Sequence, residues 1–352
     1  MRNKYRILAL VVLALAAVAL ELTRGLVPAE DAPEKHAASL RASVCHEAVY
    51  REKQRRGLEM SREADINKTG MIGLDYSYIT TTIGNLEAKR TSTNPNMAAV
   101  VVDMLNELKL QPGDRVAVNC SGSFPALNIA VMCAIQELEL EPYLITSLGA
   151  STHGANDPEF TYPDMEYFLV QQGLLEHSSD LFSIGGMEDL GKEMPPELVD
   201  SMVSRIKSYG YPLFYDEDLI HNVLARYERY CAGGDVKCFI NVGGNDVSFG
   251  DSNVMIHVGG GILTHLPEKD NSTGLVQLFL KSGTPVIHLL NIKSIATEYG
   301  LPIDPVPMPA VGQGGVYYET GYDGRIAWTG LAAALLLLWL GRNEEKKRGG
   351  TA

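Results

Sequence analysis

Long apolar runs lie near both ends of the chain. Residues 7–20 are an unbroken aliphatic run, and residues 326–340 form a second run with a tryptophan near each of its ends. Tryptophan is enriched where a membrane helix meets water. Each run is shorter than the roughly 20 residues that cross a bilayer, but the first extends to Val27 and the second back to Tyr322 at tolerable cost. The pattern therefore predicts a transmembrane helix at each end.

Between these runs, apolar segments alternate with segments of helical periodicity. The apolar segments contain few polar positions, as expected for strands that are covered on both faces. Strands separated by helices of this length indicate βαβ units. We predict an α/β fold with a mainly parallel, doubly wound, Rossmann-like sheet. The predicted strands are residues 115–119, 143–146, 180–184, 212–215, 237–242, 254–258 and 286–290. The predicted helices are residues 97–108, 126–138, 164–172, 196–209, 219–231, 274–281 and 292–299.

The formal charge of −13 is unevenly distributed. Seven of the 30 basic residues lie in residues 1–6 and 342–352, which contain only two of the 43 acidic residues, so residues 7–341 carry a net charge of −18. Positive residues thus precede the first apolar run and follow the second, and the positive-inside rule predicts that both ends are cytoplasmic and the main domain is extracytoplasmic. The alternatives are a cleaved signal peptide for the first run and a buried core helix for the second.

These patterns divide the chain into six segments. They are an N-terminal transmembrane anchor (1–27), a juxtamembrane helix and loop segment (28–95), an extracytoplasmic α/β domain (96–310), a linker (311–323), a C-terminal transmembrane helix (324–341) and a basic cytoplasmic tail (342–352). The acidic balance argues against a nucleic-acid partner, which would need a basic patch. Five cysteines without a C-x-x-C pair exclude a disulfide scaffold and a zinc ribbon.

Loops rich in small and amide residues follow several of the predicted strands. In an open parallel sheet, ligands bind outside the carboxyl ends of the strands. Any one such loop is explained by the needs of a turn, but the set favours a shared cleft. We predict these ligand-binding residues: Ser121, Gly122, Ser123, Ser151, Asn156, Gly243, Gly244, Asn245 and Asn291, with Lys89 and Arg90 reaching over the cleft.

Three chemistries fit a cleft of this composition. Ser121 lies in a nucleophile-elbow-like frame, although Asn119 replaces its first glycine. His153 or His288 is the candidate base for it, and Asp157 is the candidate orienting acid. An anion is the second possibility, held by backbone N–H groups at a helix start. Residues 116–191 contain eleven acidic residues and no lysine or arginine, so such an anion needs Lys89 or backbone donors. A metal is the third possibility, held by His153 and Asp157 or by the acidic residues near residues 243–246. We assign no metal site, and the sequence specifies no cofactor.

Seven segments together resemble the poly-γ-glutamate system protein family. The likeness covers the anchor and nearly all of the main domain. The segments are TGMIG at 69–73, ITTT at 79–82, LEAKRTSTNP at 86–95, SGSFPALN at 121–128, GANDP at 154–158, NVGG at 241–244 and IHLLN at 287–291. The resemblance implies a bacterial membrane protein that accompanies the poly-γ-glutamate synthase and export subunits. It brings no established catalytic residues.

Two classes of function follow from this resemblance and the cleft. As an accessory in capsule or polymer biosynthesis or export, the outer domain would bind poly-γ-glutamate or the synthase subunits. As an enzyme, the same cleft would act as a hydrolase or transferase on γ-glutamyl bonds, with Ser121 or a metal at its centre. The imperfect elbow around Ser121 favours the non-catalytic accessory.

Overall fold

The computed structural model describes residues 2–250, 258–266 and 272–349. The chain divides into two compact units, which are described separately. One contains residues Met1–Ala29 and Tyr318–Ala352, and the other contains residues Glu30–Tyr317.

Strands and helices alternate through most of the described chain. The strands are β1 (Gly25–Pro28), β2 (Arg115–Cys120), β3 (Glu141–Ser147), β4 (Leu181–Ser183), β5 (Val236–Val242), β6 (Gly261–Leu263), β7 (Val286–Leu289) and β8 (Tyr318–Gly321). The helices are α1 (Arg2–Leu22), α2 (Ala32–Arg56), α3 (Leu86–Ser92), α4 (Met97–Glu107), α5 (Pro125–Glu137), α6 (Tyr162–Gln171), α7 (Pro196–Ser208), α8 (Leu219–Cys231), α9 (Asp246–Phe249), α10 (Leu275–Lys281), α11 (Ile292–Glu298) and α12 (Gly324–Gly349).

The larger unit is an α/β structure around a mixed sheet of six strands in the order β4-β3-β2-β5-β7-β6. All neighbours are parallel except β6, which runs antiparallel to β7 at one edge. The carboxyl ends of the five parallel strands therefore lie along one edge of the sheet.

Helices cover both faces of this sheet because consecutive strand residues point to opposite faces. In β2, Val116 and Val118 join a core shared with α2, α4, α5, α6 and α11, whereas Ala117 joins a second core with α8, α9 and α10. Both faces are buried, so strand residues 116–120 are at most 1% exposed. This two-sided burial explains why the strands are apolar runs without alternation.

Most predicted elements of the α/β domain are confirmed within a few residues. The structure differs at residues 212–215, which the sequence predicts as a strand and which contribute only an isolated bridge between Leu213 and Phe182. The short strand β6 and the helix α3 were not predicted. The predicted strand at residues 254–258 lies mostly outside the described residues. Helix α2, assigned by sequence to a juxtamembrane segment, packs against α4 and α5 in the larger unit.

The smaller unit pairs the two ends of the chain. Helices α1 and α12 are antiparallel, because Gly330 contacts Ala16 while Gly341 contacts Tyr5. Strands β1 and β8 continue this pairing as a two-stranded antiparallel ribbon. The segments Asn3–Leu22 and Gly324–Glu344 are each long and apolar enough to cross a membrane. The first helix ends at Leu22, and of the residues expected to extend the span, Gly25 to Val27 form the ribbon instead.

Candidate functional site

A cavity of about 820 Å³ lies at the carboxyl edge of the parallel strands in the larger unit. The loops after five strands and a covering segment around α3 form its walls. The lining includes Thr81, Thr82, Ile83, Gly84, Asn85 and Lys89 from the covering segment; Ser121, Ser123 and Phe124 after β2; Ser147, Gly149 and Ser151 at and after β3; Gly186 and Met187 after β4; Gly244, Asn245 and Asp246 after β5; and Leu290, Asn291 and Lys293 after β7. The shared cleft expected from the strand-end loops is therefore present as a cavity.

The loop between β2 and α5 is held tightly in place. The Asn128 side chain, one turn into α5, donates to the carbonyl oxygen of Ser121 at 2.9 Å. A Cβ atom at Gly122 would lie 2.9 Å from the carbonyl oxygen of Gly149, so only glycine allows this loop to approach the one after β3. The hydroxyl groups of Ser121 and Ser123 consequently lie on the cavity wall.

Lys89 is buried at the wall of this cavity. Among the residues that the structure describes, no acidic side chain pairs with it. Its side chain is on α3, whose first turn is capped by Asn85, and the residue is only 2% exposed. Its Nζ donates to the carbonyl oxygen of Ser123 and to Ser151 Oγ, the latter at 2.7 Å. Burial lowers the pKa of Lys89 to about 7, because transfer away from water disfavours the charged amine.

An aromatic ring also contacts this amine. The Nζ of Lys89 lies 3.9 Å from the centre of the Phe124 ring. A ring face attracts a cation, whereas burial favours the neutral amine. No carboxylate among the described residues contacts Nζ, so burial has the larger effect and the amine exchanges its proton near neutral pH.

Ser151 is the other partner of Lys89 and belongs to the loop after β3. It is 5% exposed and lines the cavity. Its backbone N–H donates to Ser123 Oγ at 3.0 Å, which fixes the backbone that carries the Ser151 hydroxyl. Lys89, Ser123 and Ser151 thus form a connected polar cluster that joins three segments far apart in sequence.

A second polar network lies beneath the cavity. Asn119 Nδ2 donates to Asn241 Oδ1 at 2.8 Å, and Asn241 Nδ2 lies 3.1 Å from His288 Nδ1. Ser248 and Asn245 complete this network. His288 is fully buried, and burial lowers its pKa to about 4, so it is neutral at physiological pH. Because Asn245 also lines the cavity, the network braces the loop after β5.

The three residues predicted as a catalytic triad are not joined by hydrogen bonds among the described residues. His153 Nδ1 lies 3.4 Å from Asp75 Oδ1, and Asp157 Oδ1 accepts from the backbone N–H of Glu159. Ser121 Oγ accepts from the backbone N–H of Ser123 at 3.2 Å. Neither His153 nor Asp157 is among the cavity-lining residues, so the arrangement stays a prediction and the geometry does not support it.

Several predicted ligand-binding residues hold neighbouring segments together and are not among the residues that line the cavity. Arg90 pairs with Asp304 through both carboxylate oxygens. Asn156 accepts from the backbone N–H of Leu74 and donates to its carbonyl oxygen, both at 2.9 Å, which fastens the segment before α3. Gly122 and Gly243 pack against neighbouring loops. The other predicted ligand-binding residues line the cavity, and ligand binding by them stays a prediction: Lys89, Ser121, Ser123, Ser151, Gly244, Asn245 and Asn291.

Neither Lys293 nor Asp246 was among the predicted ligand-binding residues, although Asp246 was named as a possible metal ligand. Lys293 lines the cavity and pairs with Glu87 at 2.6 Å. Asp246 lines it too and accepts from the backbone N–H of Glu188 at 2.7 Å. Lys293 follows the end of β7 by four residues, and extending the strand-end argument by one turn finds it. Within the described ranges, no three His, Cys, Asp or Glu side chains are grouped to hold a metal ion.

The fold and the cavity define an α/β protein with a strand-end site and two apolar terminal helices. Comparison of the chain with protein-family models, curated proteins and solved structures finds no match.

Proposed function

We propose that this chain is a membrane-anchored accessory component of poly-γ-glutamate synthesis or export in a bacterium. Its larger unit would be extracytoplasmic and would bind a segment of the polymer in the strand-end cavity. The two terminal helices would anchor it in the cytoplasmic membrane beside the synthase and export subunits. The resemblance of its sequence motifs to the poly-γ-glutamate system proteins supports poly-γ-glutamate as the ligand. The cavity supports binding of that ligand by the larger unit.

The fold is part of this proposal. Strands β3 and β4 follow β2 on one side of the sheet, and β5 then pairs with β2 on its other side, so the strand order reverses at β2. In doubly wound sheets, ligands bind at the point where the strand order reverses. The loops after β2 and β5 both line the cavity, which supports a Rossmann-like sheet that uses this position for its ligand.

The composition of the cavity wall is the observation that carries the proposal. A γ-linked glutamyl chain presents one amide and one free carboxylate per residue, so its polar atoms are mostly acceptors. The wall is rich in hydroxyl and amide donors, and it contains two lysines, Lys89 and Lys293. Glu193 and Asp246 also line the cavity, so the charged side chains of its wall balance, and the wall offers donors without the net negative charge of the domain as a whole.

This local balance of charge matters because the rest of the domain repels a polyanion. Residues 7–341 carry a net charge of −18, and that repulsion is screened beyond roughly 8–10 Å at physiological salt. Lys293 is half-exposed, and its partner Glu87 is as exposed as the lysine. A ligand carboxylate can exchange with Glu87 at small cost, since an exposed ion pair contributes at most about 1 kcal/mol. We assign the ligand carboxylate to Lys293.

The test is a binding measurement on the full-length chain in lipid nanodiscs. A fluorescent γ-linked glutamate oligomer should bind more tightly than the α-linked oligomer of equal length and charge. Lys293→Met should weaken binding by about threefold to fivefold, which corresponds to at most about 1 kcal/mol. Lys237→Met is the matched control, because Lys237 is an equally exposed, paired lysine near the start of β5, at the opposite edge of the sheet. Equal affinity for both oligomers, or no binding at all, would refute the proposal.

A further inference from the structure

The contact between Lys89 and Ser151 joins an amine and a hydroxyl at the wall of the cavity. Both side chains are buried, yet both line the space that a ligand would occupy. A serine becomes nucleophilic when an adjacent base accepts its proton, and lysine serves as that base in serine–lysine enzymes. We propose that Ser151 and Lys89 form a nucleophile–base pair that cleaves or transfers acyl groups in this cavity.

The hydrogen bonds orient the pair for this role. A neutral amine has two N–H groups and one lone pair. One N–H of Lys89 donates to the carbonyl oxygen of Ser123, and Nζ lies 2.7 Å from Ser151 Oγ, to which the charged amine donates. In the neutral amine this bond reverses, and the Ser151 hydroxyl donates to the lone pair. The bond from the Ser151 backbone N–H to Ser123 Oγ holds the serine in register with the amine. Ser123 therefore positions both partners.

The charge state of Lys89 fits a general base at neutral pH. Its pKa is lowered to about 7 by burial, and a base works best when its pKa is close to the working pH. Several titratable and charged groups lie around Lys89. Glu87 and Arg90 are on α3 itself, and Lys293 is on α11. His153 and Asp75 lie by the loop after β3, and Glu193 and Asp246 lie across the cavity. None of these carboxylates contacts Nζ within the described chain, so none holds the amine in its charged form.

The reaction balances without a cofactor. Ser151 Oγ attacks the carbonyl carbon of an amide, a C–O bond forms, and the hydroxyl proton moves to Lys89 Nζ. The C–N bond then breaks, and the leaving amine takes that proton. Water, or an acceptor amine, attacks the resulting ester carbon and gives its proton to Lys89. The ester C–O bond breaks, and Ser151 recovers its proton. Hydrolysis consumes one water and yields a carboxylic acid and an amine.

The substrate class rests on the proposed function. If a γ-glutamyl chain lies in the cavity with a carboxylate at Lys293, an amide carbonyl of the same chain is available to Ser151. The proposal then assigns the site to cutting the polymer or transferring it to an amine. Ser121, the serine favoured by the sequence frame, has no basic side chain in contact with its hydroxyl among the described residues.

The first test uses a fluorophosphonate, which labels activated serines irrespective of the polymer. The full-length chain in detergent is incubated with the reagent, and the adduct is mapped by mass spectrometry. We expect one adduct on Ser151, none in Ser151→Ala, and labelling slowed by at least about 100-fold in Lys89→Met, the lower range for loss of a general base. Ser208→Ala and Lys237→Met are controls on exposed residues far from the cavity, and should label at the original rate.

The pH dependence gives a second readout that a structural role of Lys89 would not produce. Labelling should increase as the pH rises through about 7, because the neutral amine is the active form. Lys89→Arg removes the base and retains the charge, since arginine stays protonated. It should abolish labelling at every pH, and thermal melting identifies any variant that fails to fold.

The outcomes separate this inference from the proposed function. An adduct on Ser121 or elsewhere, an unlabelled parent chain, or a folded Lys89→Met variant that labels normally would overturn the serine–lysine pair. The binding of the γ-linked oligomer to Ser151→Ala is measured alongside. If the parent chain binds the oligomer but is not labelled, the accessory function stands and the serine–lysine pair is refuted. If Ser151 is labelled but the oligomer does not bind, poly-γ-glutamate is refuted as the ligand and the acyl-transfer site stands.

Discussion

Lys89 shows at the scale of one residue why the candidate site was only partly predictable. Its position in a stretch facing an acid-rich loop indicates that it reaches over the cleft, and it does line the cavity. The sequence does not indicate its partners, because Ser123 and Ser151 are 34 and 62 residues away along the chain. The serine-centred frame instead favoured Ser121, which has part of the local sequence pattern but no basic side chain beside it among the described residues.

His288 provides a residue-scale prediction of pH dependence. Its pKa is lowered from 6.5 to about 4 by burial, so the unfolded chain binds a proton that the folded chain does not bind. Its contribution to stability is therefore complete above pH 6.5 and is lost as the pH falls toward about 4. The maximum loss is on the order of 3 kcal/mol, from 1.36 kcal/mol per pKa unit.

The measurement compares urea midpoints at pH 7 and pH 5. His288→Leu should reduce the difference between the two midpoints, because leucine cannot take up the proton. His221→Leu is the control, since His221 is exposed on α8. The same pH difference in the parent chain and in His288→Leu would contradict the buried neutral state.

At the scale of elements, the sequence predicts those whose signal is local. Strands β2, β3, β5 and β7 are apolar runs, and α5 and α8 have clear helical periodicity, so each is recovered within a few residues. Helix α3 spans only Leu86–Ser92 in a stretch that looks loop-rich, and it depends on packing against α11. Strand β6 is an edge of three residues, paired antiparallel with β7. Short elements that depend on distant partners carry too little periodicity to be predicted.

The segment before α3 gives a prediction at this scale. Gly73 lies where a Cβ atom would be 1.8 Å from the carbonyl oxygen of Gly154 and 2.4 Å from Asn156 Oδ1. Gly73→Ala should displace this segment and with it the wall that carries Lys89. We expect a loss of roughly 1–3 kcal/mol, typical of overpacking, together with loss of oligomer binding.

The control for this substitution is Gly259→Ala, where no atom of the described residues lies within 4 Å of the added Cβ. Chemical denaturation gives the stability, and the fluorescent oligomer gives the binding. Gly73→Ala with unchanged stability would show that this segment yields more easily than its contacts indicate.

At the scale of the whole molecule, the antiparallel terminal helices predict where both ends lie. Tyr5 donates to Glu344 at 2.7 Å, so the two basic ends of the chain are neighbours. With both on the cytoplasmic side, a membrane-impermeant maleimide added to intact cells should not label Gly349→Cys. It should label Lys237→Cys, an exposed position in the larger unit. Labelling of residue 349 from outside would reverse the proposed topology.

The yield and length of the polymer made by cells test the proposed accessory function. In cells that keep the synthase but lack this chain, the yield of poly-γ-glutamate should fall severalfold. Restoring the chain as Ser151→Ala should recover the yield, because binding is retained, and should give longer polymer, because cleavage is lost. An unchanged yield in the absence of the chain would argue against an accessory role.

The pairing of β1 with β8 has a consequence for biogenesis. Strand β1 is made among the first thirty residues, whereas β8 appears only after the entire larger unit has been synthesised. In the proposed topology, α1 would insert before the unit Glu30–Tyr317 is translocated, and α12 would follow that unit. The ribbon closes last. A ribosome that stalls before β8 leaves an open strand edge at the membrane, so the completed ribbon distinguishes a finished chain from an unfinished one.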